Sequence, residues 1–363
     1  MTTHAKLSLF SPYALGPTPL TNRLVMAPMT RSRATSDHVP TEAMARYYAL
    51  RADAGLIITE GTAPAPEGLG YARIPGLFDD AHVVAWRAVT DAVHARGGKI
   101  FVQLMHCGRV AHPLNLPAGA RVLAPSAVAA PGQMWTDQAM MQDHPVPEAM
   151  TEADIEAAVE AFVHAARCAL AAGFDGVELH SANGYLLDQF LNPASNQRTD
   201  GWGGSAAGRN RFTLEVATRV AAAVGGERIG IRLSPFGVFN GMAIHDELPA
   251  QFTALAEALG ALKLAYVHVV DHASMGAPEV PASTKAAIRK AFGGPVILSG
   301  GYDAGRAEAD LEAGLGELVA FGRPFIANPD LVARLRDGKA LAEPNPDTFY
   351  TPGEAGYLDY PTA

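Results

Sequence analysis

The feature that most constrains this chain is an eightfold alternation of short apolar runs with longer amphipathic stretches. The apolar runs occupy 24–28, 55–59, 99–105, 176–180, 229–234, 265–270, 295–299 and 318–321. Near-continuous apolar residues over so few positions mark strands buried on both faces. Helical periodicity fills 41–53, 79–96, 151–172, 209–224, 248–262, 283–292 and 304–313, with a further stretch at 329–336. Strands that each lead into a helix predict a parallel sheet. Eight such units favour an α/β fold closed into a single (β/α)8 TIM barrel over an open, doubly wound sheet. A length of 363 residues suits one barrel domain with loop insertions, and 48% hydrophobic against 18% charged residues can fill its core.

Two segments fall outside the alternation. Residues 1–23 precede the first strand and are expected to cap the barrel floor. Residues 107–150 are rich in Pro, Ala and Met without helical period. They are too long for a plain connector and are read as an excursion over the active face after the third strand. Thr151 to Asp154 resembles a capping box with Asp in place of Glu, and Gly173 stops the helix that follows.

Polar residues interrupt the apolar runs mainly near their C-terminal ends, the face on which barrel active sites assemble. They are Thr30, Glu60, Gln103, Glu178, His180 and Arg232. A buried Glu or Arg needs a partner or a ligand. For Glu60 and Glu178 the sequence leaves an internal ion pair and a ligand role equally open. The seventh run leads into Ser299-Gly-Gly and the eighth into Phe321-Gly-Arg. Glycines there let backbone N–H groups approach an anion that Arg323 can grip, and loops seven and eight are the usual phosphate site of a barrel. A match to the dinucleotide pattern G-x-G-x-x-A at 201–206 follows no strand, so it reads as a loop and the phosphate ligand as a mononucleotide.

Charge and cysteine content narrow the class further. A net charge of −9 argues against nucleic acid and against an anionic membrane surface. Cys107 and Cys168 are too few for a four-cysteine zinc or iron–sulfur site, and no metal is expected. Two reduced thiols, no apolar leader-like segment and no run of 18 apolar residues predict a soluble cytoplasmic protein, monomeric or homodimeric.

Several blocks then resemble one family. They are Asn22 to Arg31, His180 to Leu191, Asn196 to Ser205, Gly230 to Pro235, Phe321 to Arg323 and Gly356 to Pro361. In content and order they are similar to the Old Yellow Enzyme family, and Thr30 points to its threonine-bearing rather than cysteine-bearing branch. The resemblance implies non-covalent FMN across the barrel top. Pro28, Met29 and Thr30 would line one flavin edge, with Gly61 at the ring. Gln103 and Arg232 would bind the pyrimidine side, and Gly300, Gly301, Gly322 and Arg323 the phosphate. His180 and Asn183 would hold the activating oxygen of an alkene, and Tyr185 would protonate its α-carbon. Tyr71, Phe239, His272 and Tyr350 would line the pocket. Met105 replaces a tryptophan common in the family.

The activity so implied is NADH- or NADPH-driven reduction of enones, enals, maleimides and nitroalkenes, with nitro or nitrate-ester reduction as a side reaction. Two other readings remain at this level. A flavin-free aldolase or isomerase could use the same phosphate site, but Lys99 begins its strand and Lys285 lies on a helix, so no strand-end Schiff-base lysine is evident. A non-catalytic flavin-binding protein would have no need of Tyr185.

Overall fold

A computed structural model describes residues 8–362; the first seven residues of the expected floor cap lie outside the described residues. Eight parallel strands close into one barrel: β1 Leu24–Met26, β2 Leu56–Thr62, β3 Ile100–Leu104, β4 Gly176–Ser181, β5 Ile229–Leu233, β6 Tyr266–Val270, β7 Val296–Ser299 and β8 Leu318–Phe321. The expected fold is the observed one. Around it run α1 Glu42–Ala49, α2 Asp80–His94, α3 Glu152–Ala171, α4 Leu186–Leu191, α5 Ala206–Val224, α6 Leu248–Ala261, α7 Ala282–Phe292, α8 Ala304–Glu312, α9 Arg323–Ala327 and α10 Leu331–Asp337.

Local chemistry sets the helix starts. Thr41, Asp79 and Asp303 each accept a backbone N–H from the first turn of α1, α2 and α8. Thr151 and Asp154 form a complete capping box on α3. Helix α5 begins at Ala206, three residues before its apolar period becomes readable, because Ser205 caps the backbone of Gly208. The glycines of 201–204 are the turn that delivers this cap, not the end of a strand. Helices α4 and α9 are too short to show a period in sequence.

Alternate strand residues point inward, and they form two layers. At the floor, Val25, Leu56, Ile58, Phe101, Tyr266, Ile297 and Leu318 pack into one apolar cluster. Leu15 and Leu20 join it from an antiparallel hairpin, Tyr13–Leu15 with Thr18–Leu20, which closes the barrel from below. Gly230 is glycine because a Cβ there would meet the Tyr266 ring at 2.0 Å. Above the floor the inward residues of β3 to β6 turn polar, as Gln103, Glu178, Arg232 and His268.

Strand β2 departs from regular pairing. Ile58 faces Phe101 and Gly61 faces Gln103, so two residues of β2 oppose the single Val102. This bulge reverses the alternation. Gly61 turns inward, and Glu60, which regular pairing would direct inward, turns out to helix α1, where its carboxylate accepts from Tyr48 Oη at 3.2 Å and from Arg31 N–H at 3.3 Å. The expectation for Glu60 is corrected accordingly: it is neither half of an ion pair inside the barrel nor a cavity residue. Burial raises its carboxyl to about 7.

Candidate active site

The barrel mouth opens into a cavity of about 510 Å³. Its floor is the inward residue at the C-terminal end of each strand, and these differ around the ring. Ala27, Gly61, Ser299, Ala320 and Gly322, on or directly after β1, β2, β7 and β8, are small. Gln103, His180 and Arg232 on β3, β4 and β5 are long and polar. Half the mouth leaves room for a flat body and the other half offers hydrogen bonds.

The polar half is wired from beneath. The Gln103 amide donates to Glu178 Oε1 at 2.7 Å, and His268 Nδ1 donates to Glu178 Oε2 at 2.9 Å. Burial alone would raise Glu178, but His268 and Arg232 together hold it below the usual carboxylate range. Glu178 is thus an internal partner, the first of the two roles open for it. Arg232 lies across from it, buried, with Nε lacking any protein acceptor. An orphaned guanidinium nitrogen at the base of a cavity calls for an acceptor from outside the chain. His268 escaped the sequence reading, although a histidine in Tyr-Val-His-Val-Val is the same signal that singled out Arg232.

The loop after β4 carries the next group. Asn183 and Gly184 both adopt left-handed backbone, with φ of 59° and 73°. Gly184 N–H donates to Asp188 at 2.8 Å, Asn183 N–H to Ser234 Oγ at 2.8 Å, and Asn240 Nδ2 to Asn183 O at 2.8 Å. Every backbone group of the turn is tied, so its side chains are held in place. Asn183 Oδ1 lies 2.7 Å from His272 Nε2. An amide oxygen only accepts, so His272 carries its proton on Nε2, and the Asn183 NH2 keeps its donors free of any partner among the described residues. Burial and Arg232 lower His272 to about 4, which keeps it neutral.

His180 and Tyr185 meet edge to face, with ring centres 4.8 Å apart. Burial and then Arg232 push His180 well below its ordinary range, so it is a neutral imidazole whose Nδ1 has no protein partner. Tyr185 Oη lies 3.0 Å from Tyr71 Oη. Burial and the neighbouring Tyr71 raise Tyr185 well above 10, so its proton stays on at neutral pH.

The remaining expected residues line the same cavity: Pro28, Met29 and Thr30 after β1, Tyr350 from the tail, and Phe239 beside His272. Gly300 and Gly301, after β7, have φ of 141° and 64°, and a Cβ on Gly301 would meet Ser274 Cβ at 2.6 Å. With Gly322 and Arg323 after β8 they form a backbone cradle beside a guanidinium that has no ion-pair partner among the described residues. An elongated molecule with a flat polar ring at one end and a phosphate at the other fits this arrangement, so the residues present suit FMN. Ser274, Met275 and Phe349 also line the cavity; they lie in loops whose sequence carries no marker. Lys285 is bound to Asp271 at 2.6 Å from helix α7, and Lys99 to Asp175 at 3.1 Å.

Comparison with known proteins bears on the family and the fold. Residues 8–342 match the model of the NADH:flavin oxidoreductase / NADH oxidase family. A chanoclavine-I aldehyde reductase of Penicillium roqueforti is 46% identical over 97% of this chain and 95% of its own. A probable flavin mononucleotide-dependent alkene reductase of Leishmania infantum is 44% identical over 97% of both chains. Among solved structures, morphinone reductase superposes with a TM-score of 0.95 at 44% identity, covering 100% of this chain and 98% of that one. The same reductase has been solved in complex with tetrahydroNAD.

Proposed function

Since the chain belongs to the NADH:flavin oxidoreductase / NADH oxidase family and is an FMN-dependent ene-reductase of the Old Yellow Enzyme type, we propose that its mouth cavity acts through three residues, His180, Asn183 and Tyr185. When bound, FMN would supply the hydride chemistry, with NADH or NADPH as the source of its electrons. The chain's own groups do the rest. Pro28, Met29, Thr30 and Gly61 would border the flavin ring, Gln103 and Arg232 its pyrimidine side, and Gly300, Gly301, Gly322 and Arg323 its phosphate. Arg232, with an unpartnered Nε, would stabilise negative charge on that side.

His180 and Asn183 bind the activating oxygen of the substrate. Both are neutral donors, so they draw electron density onto that oxygen without surrendering a proton to it. Tyr185 delivers its hydroxyl proton to the α-carbon, and Tyr71 lies placed to replenish it at 3.0 Å. Tyr350 and Tyr71 border the substrate. The observation that supports this reading is that His180, Asn183 and Tyr185 line one cavity, with the Asn183 amide oxygen taken by His272 and the tyrosine held protonated.

Enones, enals, maleimides and nitroalkenes are the proposed substrates, with nitro or nitrate-ester reduction secondary; the aldehyde reductase relative supports enals. We read the two unpaired cysteines as suited to a reducing, cytoplasmic setting and the net charge of −9 as unfavourable to nucleic acid and anionic membrane surfaces; a monomer or homodimer is proposed, and among the described residues no helix is long and apolar enough to cross a membrane.

Stopped-flow analysis of Tyr185→Phe tests the assignment. Reduction by NAD(P)H should proceed at near the wild-type rate, while reoxidation by cyclohexenone slows by roughly 10²–10⁴, the range for a positioned acid. Equal losses in both half-reactions would remove Tyr185 from the role.

A further inference from the structure

A second cavity, of about 700 Å³, adjoins the mouth and shares Thr30, Tyr71, Tyr185 and Tyr350 with it. Its outer wall is the hairpin Gln133–Thr136 with Met140–Asp143, which contributes Met134, Trp135 and Met141. The facing wall is the tail segment around Pro346, Tyr350 and Pro352. Large apolar side chains stand open here: Trp135 is 45% exposed, Met141 49% and Tyr350 62%. Exposed apolar residues gathered on facing walls, continuous with a reaction site, mark a place for ligand rather than for water.

Charge decides which ligand. The one cation lining this space among the described residues, Arg73, is consumed in holding its walls together. It pairs with Asp137 on the hairpin and donates to Tyr350 O at 3.2 Å and Ser32 O at 3.3 Å. Trp135 Nε1 donates to the same Asp137 at 2.9 Å. Asp137 and Arg73 offset each other, so Asp347 leaves the vestibule with a surplus carboxylate and, among the described residues, no free guanidinium or ammonium. The phosphates of a dinucleotide find nothing to bind.

We infer that this vestibule seats the body of the alkene substrate, so that the enzyme is built for enals and enones carrying a bulky apolar group, uncharged or cationic, while anionic bodies are rejected. The inference rests on the mouth cavity being the alkene site. The distal body, stacked on Trp135 and flanked by Met141, lowers KM for the whole substrate, and the reacting head stays with His180, Asn183 and Tyr185.

Matched enals test this with the FMN-loaded enzyme: trans-2-hexenal, the same enal bearing a terminal naphthyl group, and naphthyl versions carrying a quaternary ammonium or a carboxylate. The naphthyl and ammonium compounds should show kcat/KM at least tenfold above hexenal, and the carboxylate at least tenfold below the naphthyl compound. Trp135→Ala should erase the naphthyl gain while leaving hexenal turnover and the rate of flavin reduction by NAD(P)H unchanged. Met141→Lys, at an exposed hairpin position, should turn the carboxylate penalty into a gain. Indifference to the tail, or a slower reaction with NAD(P)H in Trp135→Ala, would overturn the inference and give the vestibule to the coenzyme. Loss of cyclohexenone reduction in the wild type would instead overturn the reading of the mouth cavity itself.

Discussion

A carboxylate buried beneath a guanidinium is the residue-level arrangement with the clearest consequence. Glu178 is wholly enclosed and held by Gln103 and His268, while Arg232 above it keeps an open Nε. The pair would divide the work: the carboxylate offsets part of the arginine charge, and under the proposed site the rest would face the pyrimidine side of the flavin. Glu178→Gln should therefore leave Arg232 more positive and make bound FMN easier to reduce, raising its midpoint potential by about 30 mV or more, where 30 mV corresponds to ~1.4 kcal/mol for two electrons. Spectroelectrochemical titration measures it, and an unchanged potential would limit Glu178 to a packing role. Arg323 belongs at the same scale. Arg323→Ala should weaken FMN retention in dialysis, and the reconstituted variant should keep the wild-type rate of cyclohexenone reduction.

At the scale of elements, the bulge in β2 connects backbone geometry with charge. By placing two residues opposite Val102 it puts the featureless Gly61 at the cavity and buries Glu60 behind the barrel wall. The folded state lifts the Glu60 carboxyl from 4.5 to about 7, so folding favours its protonated form. The associated stability is fully present below pH ~4.5 and lost as pH rises through ~7, at up to ~1.4 kcal/mol per unit. Glu60→Gln should be free of that loss. Its stability relative to wild type, from urea unfolding, should rise between pH 5 and 8 by up to ~3 kcal/mol. A constant difference across that range would mean Glu60 is ionised when folded. The helix caps act at this scale too: Thr151→Ala removes the hydroxyl that accepts from Asp154 N–H in the α3 capping box, leaves the Thr151 N–H to Asp154 arm in place, and should cost about 1 kcal/mol.

For the whole molecule, the barrel has two ends with separate duties. The floor is an apolar plug completed by the hairpin residues Leu15 and Leu20, 0% and 3% exposed. The mouth carries the polar groups. Leu20→Ala should cost ~2–5 kcal/mol through lost burial and a cavity, seen in denaturant unfolding, while FMN content and the flavin spectrum stay unchanged. Loss of flavin from the folded variant would show that floor and mouth are coupled.

The division between sequence and tertiary structure follows from the range of the forces involved. Strand runs, helix stretches, the Thr151 cap and the polar strand residues Gln103, His180 and Arg232 are legible because each depends on neighbours a few positions away. Short, near-continuous apolar runs, together with a chain-wide βα repeat, point to a closed barrel and to the end at which those polar residues gather. His268 carried the same local signal. What the sequence could not determine arises where segments remote in the chain meet. Whether Glu60 or Gly61 faces inward depends on how β2 pairs with β3, and that register is decided only when the barrel closes. Likewise the vestibule exists because Arg73 ties the hairpin at Asp137 to the backbone of Tyr350, more than two hundred residues further on. No local periodicity encodes such a contact; it is a property of the folded surface alone.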